Sequence, residues 1–139
     1  MAEEVSYGII PFRKKNDQVE VLMIQHQAGH WSFPKGHSDF QESPIETAQR
    51  ELKEETGLSI RKILIPETSL VEHYVFQRGE EQVQKKVEYY LAEVEGELIM
   101  QDEEVRDSLW LSPSELSSQA TFPESQRICQ QAAGFLNDL

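Results

Sequence analysis

Residues 43–57 carry a complete set of helix boundary signals, and they constrain the fold more tightly than any other stretch of the chain. Ser43 can cap, and Pro44 suits the first helical position, where a missing N–H costs nothing. Glu46 completes a reciprocal capping box with Ser43, and Gly57 supplies the stop. A helix over 44–56 is therefore expected. Ile45, Ala48 and Leu52 fall at i, i+3 and i+7, which gives it an apolar face able to pack on a sheet.

The rest of the chain alternates between strand and helix signals. Ser6 to Phe12 and Val19 to Gln25 are β-branched and apolar, and the polar run 13–18 between them predicts an antiparallel hairpin with a loop. A loop is expected around Gly29-His30-Trp31 and Pro34-Lys35-Gly36. Strand content recurs at Leu58 to Ile65, Leu70 to Gln77, Val83 to Val94 and Val105 to Leu111, with Arg78 to Glu81 as a turn. Pro113 to Leu116 suits a short helix. Beyond Pro123, residues Ile128, Ala132, Phe135, Leu136 and Leu139 recur at helical spacing. The fold class expected is an α/β sandwich, in a single domain spanning residues 1–139 and without internal repeats.

Composition narrows the function classes. No apolar run approaches the roughly 20 residues that a membrane helix needs, and the acidic start Met1-Ala2-Glu3-Glu4 lacks the features of a secretory signal. A lone Cys129 cannot form an internal disulfide, so a reducing cytoplasm is the expected setting. The formal charge of −12 repels a nucleic-acid backbone, which disfavours long nucleic acid as a partner and leaves small molecules. A monomer is expected.

The acidic excess mostly serves solubility, but one cluster stands apart. Glu51, Glu54 and Glu55 lie beside the apolar face of helix 44–56 and share about 100° of its circumference. Like charges at these spacings destabilise a helix by roughly 0.2–0.5 kcal/mol per pair, and the helix dipole opposes negative charge in the last turn. A hard divalent cation such as Mg²⁺, which prefers carboxylate oxygens and substrate phosphates, would reverse that penalty. A solvated acidic face is the ordinary reading of an arbitrary Glu-Glu run. The surrounding pattern decides against it here.

That pattern is Gly36-x5-Glu42-x7-Arg50-Glu51-Leu52-x-Glu54-Glu55-x-Gly57-Leu58, which resembles the Nudix box at every defined position. The resemblance implies an α/β/α sandwich with a mixed β-sheet, and hydrolysis of nucleoside diphosphates linked to another group. It also implies that Glu51, Glu54 and Glu55, with the carbonyl of Gly36, hold Mg²⁺, for which Mn²⁺ can substitute. Arg50 would orient Glu42 or Glu51 through charge-assisted hydrogen bonds. The general base stays open among Glu51, Glu54 and Glu104. Glu104 lies six residues before Trp110, where many Nudix proteins carry a further metal-binding or basic Glu. Asp102 and Glu103 crowd it, so a solvated acidic loop is the competing reading.

The segment His30-Trp31-Ser32-Phe33-Pro34-Lys35-Gly36-His37 resembles the one preceding the box in asymmetrical diadenosine tetraphosphate hydrolases. Tyr74 lies 16 residues after Leu58, where that subfamily places a tyrosine, and stacking on a base stabilises binding by roughly 1–3 kcal/mol. Phe135 would form the other side of the clamp, although its spacing also fits ordinary core packing. His30, Lys35, Arg78, Lys85 and Lys86 are the candidate phosphate partners. One departure is the stretch Glu80 to Gln84, which reads as a longer, more acidic loop than the subfamily's and puts the register of Lys85 and Lys86 in doubt.

The reaction this implies is in-line attack of water on diadenosine tetraphosphate, giving ATP and AMP. Removal of pyrophosphate from RNA 5′ ends and cleavage of a nucleoside triphosphate are the enzyme alternatives. A silent nucleotide sensor is the alternative from another class, and such proteins generally lose box glutamates that are all present here.

Overall fold

A long parallel pairing of the first and seventh strands forms the spine of the fold in the computed structural model, which describes residues 2–66, 69–100 and 103–139. Strand β1 (Ala2–Lys15) runs alongside β7 (Glu81–Glu95), from Ala2 opposite Val83 to Phe12 opposite Glu93. The other edge of β1 is shared. Strand β4 (Lys35–Gly36) pairs with Tyr7 and Gly8, and β2 (Gln18–His26) pairs with residues 12–15. The far edge of β7 is shared in the same way by β5 (Ser59–Ile63) and β6 (Leu70–Arg78). Strands β3 (Trp31–Ser32) and β8 (Val105–Leu111) both pair with β2 and complete a mixed sheet.

Helix α1 (Pro44–Thr56) forms where the boundary signals place it. The Glu46 N–H donates to Ser43 Oγ at 3.3 Å, and the Ser43 N–H donates to Glu46 Oε1 at 2.9 Å. Gly57 ends the helix with φ 77°, a left-handed conformation natural to glycine, and its N–H donates to the Lys53 carbonyl. Ala48 and Leu52 are fully buried against Ile9, Leu22, Ile24 and Val94 on one face of the sheet. The opposite face packs Ile10, Val87, Tyr89 and Leu91 against α2 (Leu116–Gln119) and α3 (Pro123–Leu136), with a 3₁₀ turn at Pro113–Glu115 before them. The result is an α/β/α sandwich in which the period-2 pattern of the strands divides residues between two cores.

Two expected loops are tight turns instead. Asn16 and Asp17 adopt φ 52° and 64°, the left-handed pair of a two-residue hairpin turn, so β1 and β2 run on through most of the polar stretch. Residues 81–84, expected to be an acidic loop, belong to β7. Only Gly79 and Glu80 turn the chain, and Arg78 pairs directly with Glu81. Asp102 lies outside the described residues.

Candidate active site

The last turn of α1, the short strand β4 and the turn before β8 meet at one end of the sheet. Carboxylate oxygens of Glu51, Glu55 and Glu104 lie within 4.8 Å of one another there. Glu55 is only 3 % exposed, and its Oε2 accepts the Lys35 N–H at 3.1 Å. Burial, reinforced by the Glu51 and Glu104 charges, pushes its carboxyl up to about 9. Burial also raises the Glu51 carboxyl, against the pull of Arg50. Glu104 comes from a remote part of the chain, delivered by the pairing of β8 with β2, and its carbonyl accepts the Gln27 N–H at 3.2 Å.

Glu54 is placed differently. Its side chain is 51 % exposed and lies outside the three-carboxylate cluster, held by Arg50 Nη1 at 3.2 Å. Arg50 binds more carboxylates than sequence reasoning anticipated. It grips both oxygens of Glu42, at 2.7 and 3.0 Å, and also donates to Glu51 Oε1 at 3.0 Å and to the His37 carbonyl at 2.9 Å. These bonds hold the Glu42 carboxyl down at about 2. The guanidinium thus ties the β4–α1 loop to the acidic face of the helix.

Gly36 sits directly against this cluster. A Cβ built at its position would run into the Glu51 carboxylate, so only glycine leaves room for that group.

Beside the carboxylates, a cavity of about 390 Å³ opens between β6 and the start of α3. His30, Lys35, Tyr74, Phe76 and Phe122 contribute to its walls, and Glu72 and Ser125 to its floor. The His30 ring stacks on His26 at 4.5 Å and lies 5.4 Å from Phe122. Burial lowers the basicity of Lys35, partly offset by the charges of Glu72 and Glu55.

Three expectations require correction. Lys85 and Lys86 are both candidate phosphate partners, but adjacent strand residues point to opposite faces. Lys85 is 6 % exposed, donates to Ser6 Oγ at 2.6 Å and lies 3.0 Å from His37 Nε2. Lys86 faces the other way, 3.8 Å from Glu88. Arg78 is occupied by Glu4, at 2.5 Å. Phe135 is not among the residues that line the cavity, and it is 39 % exposed. The cavity touches the start of α3, whereas Phe135 lies twelve residues after Pro123, roughly 18 Å along the helix at 1.5 Å per residue. Phe122, just before Pro123, lines the cavity instead.

Glu72, Phe122, Ser125 and His26 escaped sequence reasoning. Glu72 left a signal, because it lies two residues before Tyr74 on one strand and so on the same face. Phe122 left none, since only the docking of α3 on β6 brings it to the cavity.

With this fold and this site in place, comparison with known proteins gives the class. Residues 3–131 match the NUDIX domain, and the chain belongs to the Nudix family. Within that family it is 36 % identical to the asymmetrical bis(5′-nucleosyl)-tetraphosphatase of Mus musculus, over 93 % of this chain and 92 % of the mouse protein. The enzyme of the same name from Caenorhabditis elegans is 26 % identical, over 93 % and 94 % of the two chains. A crystal structure of a C. elegans Ap4A hydrolase binary complex superposes with a TM-score of 0.73 over 97 % of this chain and 98 % of that one, at 21 % identity. At that identity the superposition speaks for the fold. The Nudix domain of Shewanella oneidensis NrtR, complexed with ADP ribose, fits nearly as well at 0.72, so backbone shape does not choose the substrate. Among the described residues, no helix is long and apolar enough to cross a membrane.

Proposed function

We propose that this chain is a Mg²⁺-dependent hydrolase of dinucleoside polyphosphates, chiefly cleaving diadenosine tetraphosphate to ATP and AMP by in-line attack of water on phosphorus. One observation carries this reading: the Glu51, Glu55 and Glu104 carboxylates converge beside an aromatic-walled cavity that also holds Lys35 and is large enough for a nucleotide. The names of the relatives support the substrate class.

The residues fit a hard divalent ion. Three carboxylates supply oxygen donors within 4.8 Å, and the buried Glu55 carries a charge penalty that a cation would remove. Glu51, Glu55 and Glu104, with the carbonyl of Gly36, would hold it; Glu54 stands at the margin of the set, and Mn²⁺ offers a similar charge and size. Such an ion supplies charge neutralisation at the phosphate oxygens and lowers the pKa of the attacking water.

The chain's own groups do the rest. The attacking water gives its proton to a carboxylate, for which Glu51, Glu54 and Glu104 are the candidates. Glu54 is open to solvent and held by Arg50, which supports it as one of the three. A new P–O bond forms as the bridging P–O bond breaks, and the leaving nucleotide takes the displaced oxygen. Lys35 and His30 line the cavity and Lys85 lies 3.0 Å from His37 Nε2, which supports them as partners for the phosphate chain. Tyr74 and Phe122 would flank the base. The chain would act as a monomer with a single domain, in a reducing compartment such as the cytoplasm, which its lone buried Cys129 suits.

Incubating the purified protein with Mg²⁺ and a panel of nucleotides, with products resolved by chromatography, tests this reading. Equal amounts of ATP and AMP from diadenosine tetraphosphate are expected. A preference for a nucleoside triphosphate, or no turnover of any substrate, would overturn it.

A further inference from the structure

Glu72 is the one acidic side chain buried in the cavity, at 5 % exposure, among the described residues. It projects from β6 on the same face as Tyr74, two residues away. Its Oε2 accepts a hydrogen bond from Ser125 Oγ at 3.2 Å. Among the described residues, Ser125 is the one hydrogen-bond partner of the carboxylate, which leaves Oε1 unpaired and without a salt bridge. Burial raises the carboxyl's pKa, against the pull of Lys35, the Ser125 hydroxyl and Lys85, while the Glu124 charge adds to the rise. Oε1 opens to the cavity, since His26 Nε2 is the one fully buried side-chain polar atom without a partner among the described residues, and so it is free to meet a ligand there. The aromatic walls have no need of it, because an apolar side chain would pack there as well.

We propose that Glu72 is a specificity-determining residue of this cavity: its free oxygen accepts a hydrogen bond from an amino group of the nucleobase lying against Tyr74. This rests on the reading that the cavity takes a nucleobase. An ionised carboxylate only accepts, so it favours a base edge that presents an N–H donor. The adenine 6-amino group is such a donor, and unsubstituted purine, with a hydrogen in its place, has none. Sites built around a buried polar group reject ligands that leave it unpaired, more strongly than apolar pockets reject a change of size. Ser125 fixes the rotamer by holding the other oxygen, so a single acceptor faces the base.

The test compares AMP with purine riboside 5′-monophosphate by calorimetric titration, alongside hydrolysis of the two matching dinucleoside tetraphosphates. The wild-type protein should bind AMP about 10- to 100-fold more tightly, as expected for a hydrogen bond to a charged group. Glu72→Leu should level the two affinities by weakening AMP alone, with Glu72→Met as a second apolar variant if the first folds poorly. Equal affinity in the wild type, or a preference that survives both substitutions, overturns the proposal. Hydrolysis without base preference removes Glu72's role and leaves the proposed reaction standing. Base preference without hydrolysis does the reverse.

Discussion

The carboxylate of Glu51 occupies the space that a Cβ on residue 36 would fill, so the glycine that opens the box and the glutamate on its helix are sterically matched. A Gly36→Ala protein must move Glu51 or displace β4. Because misplacing a reacting group by about 1 Å can cost around 100-fold, a kcat loss of at least that size is expected, with the far-ultraviolet spectrum unchanged. Steady-state kinetics and circular dichroism check both halves.

Glu55 sets stability against function. In ion-free protein its carboxyl titrates at about 9, above the ordinary 4.5 of an unfolded chain. The folded state therefore binds the proton more tightly, and the stability this contributes is present below pH 4.5 and lost as the pH rises towards 9. Glu55→Gln should raise the ion-free melting temperature at pH 8 by about 5 °C while removing most activity. Thermal melts in chelator, paired with activity assays, decide it.

His26 acts in the acid range. Burial, with the nearby charges of His30 and Lys35, pushes its imidazole from 6.5 down to about 3, and its Nε2 is buried without a partner among the described residues. The unfolded chain takes up a proton below 6.5 that the folded chain refuses until about 3, so stability falls as the pH drops through this window. The slope is about 1.4 kcal/mol per pH unit at most. Melting temperatures of wild type and His26→Gln should converge near pH 7.5 in slope and diverge between pH 6.5 and 4, the variant losing less.

Phe122 and Phe135 separate the structural reading from the sequence reading of the clamp. Phe122→Ala should raise KM for the dinucleotide by about tenfold, within the 1–3 kcal/mol that stacking contributes. Phe135→Ala should leave it unchanged. Kinetics of the two variants side by side distinguish them.

Local chemistry was legible in the sequence because its signals are local. Ser43, Pro44, Glu46 and Gly57 fix the ends of α1, and the spacing of Glu51 and Glu55 sets their shared face. Contacts that depend on long-range pairing were less so. Glu104 reaches the cluster only through β8 beside β2, and Phe122 reaches the cavity only because α3 docks at its N-terminal end. Residues 81–84 read as a loop because their charge is typical of one, yet a two-residue turn at Gly79 and Glu80 lets both strands run on. The opposite facing of Lys85 and Lys86 followed from strand periodicity once that register was known.

Titration of the ion-free protein with Mg²⁺ tests the central claim most directly, alone and with a nonhydrolysable dinucleoside tetraphosphate present. Saturable uptake of Mg²⁺ is expected, strengthened by the nucleotide and lost in Glu55→Gln. No uptake under either condition would contradict the account, because crowded carboxylates at Glu51, Glu55 and Glu104 would then lack the ion that makes their convergence favourable.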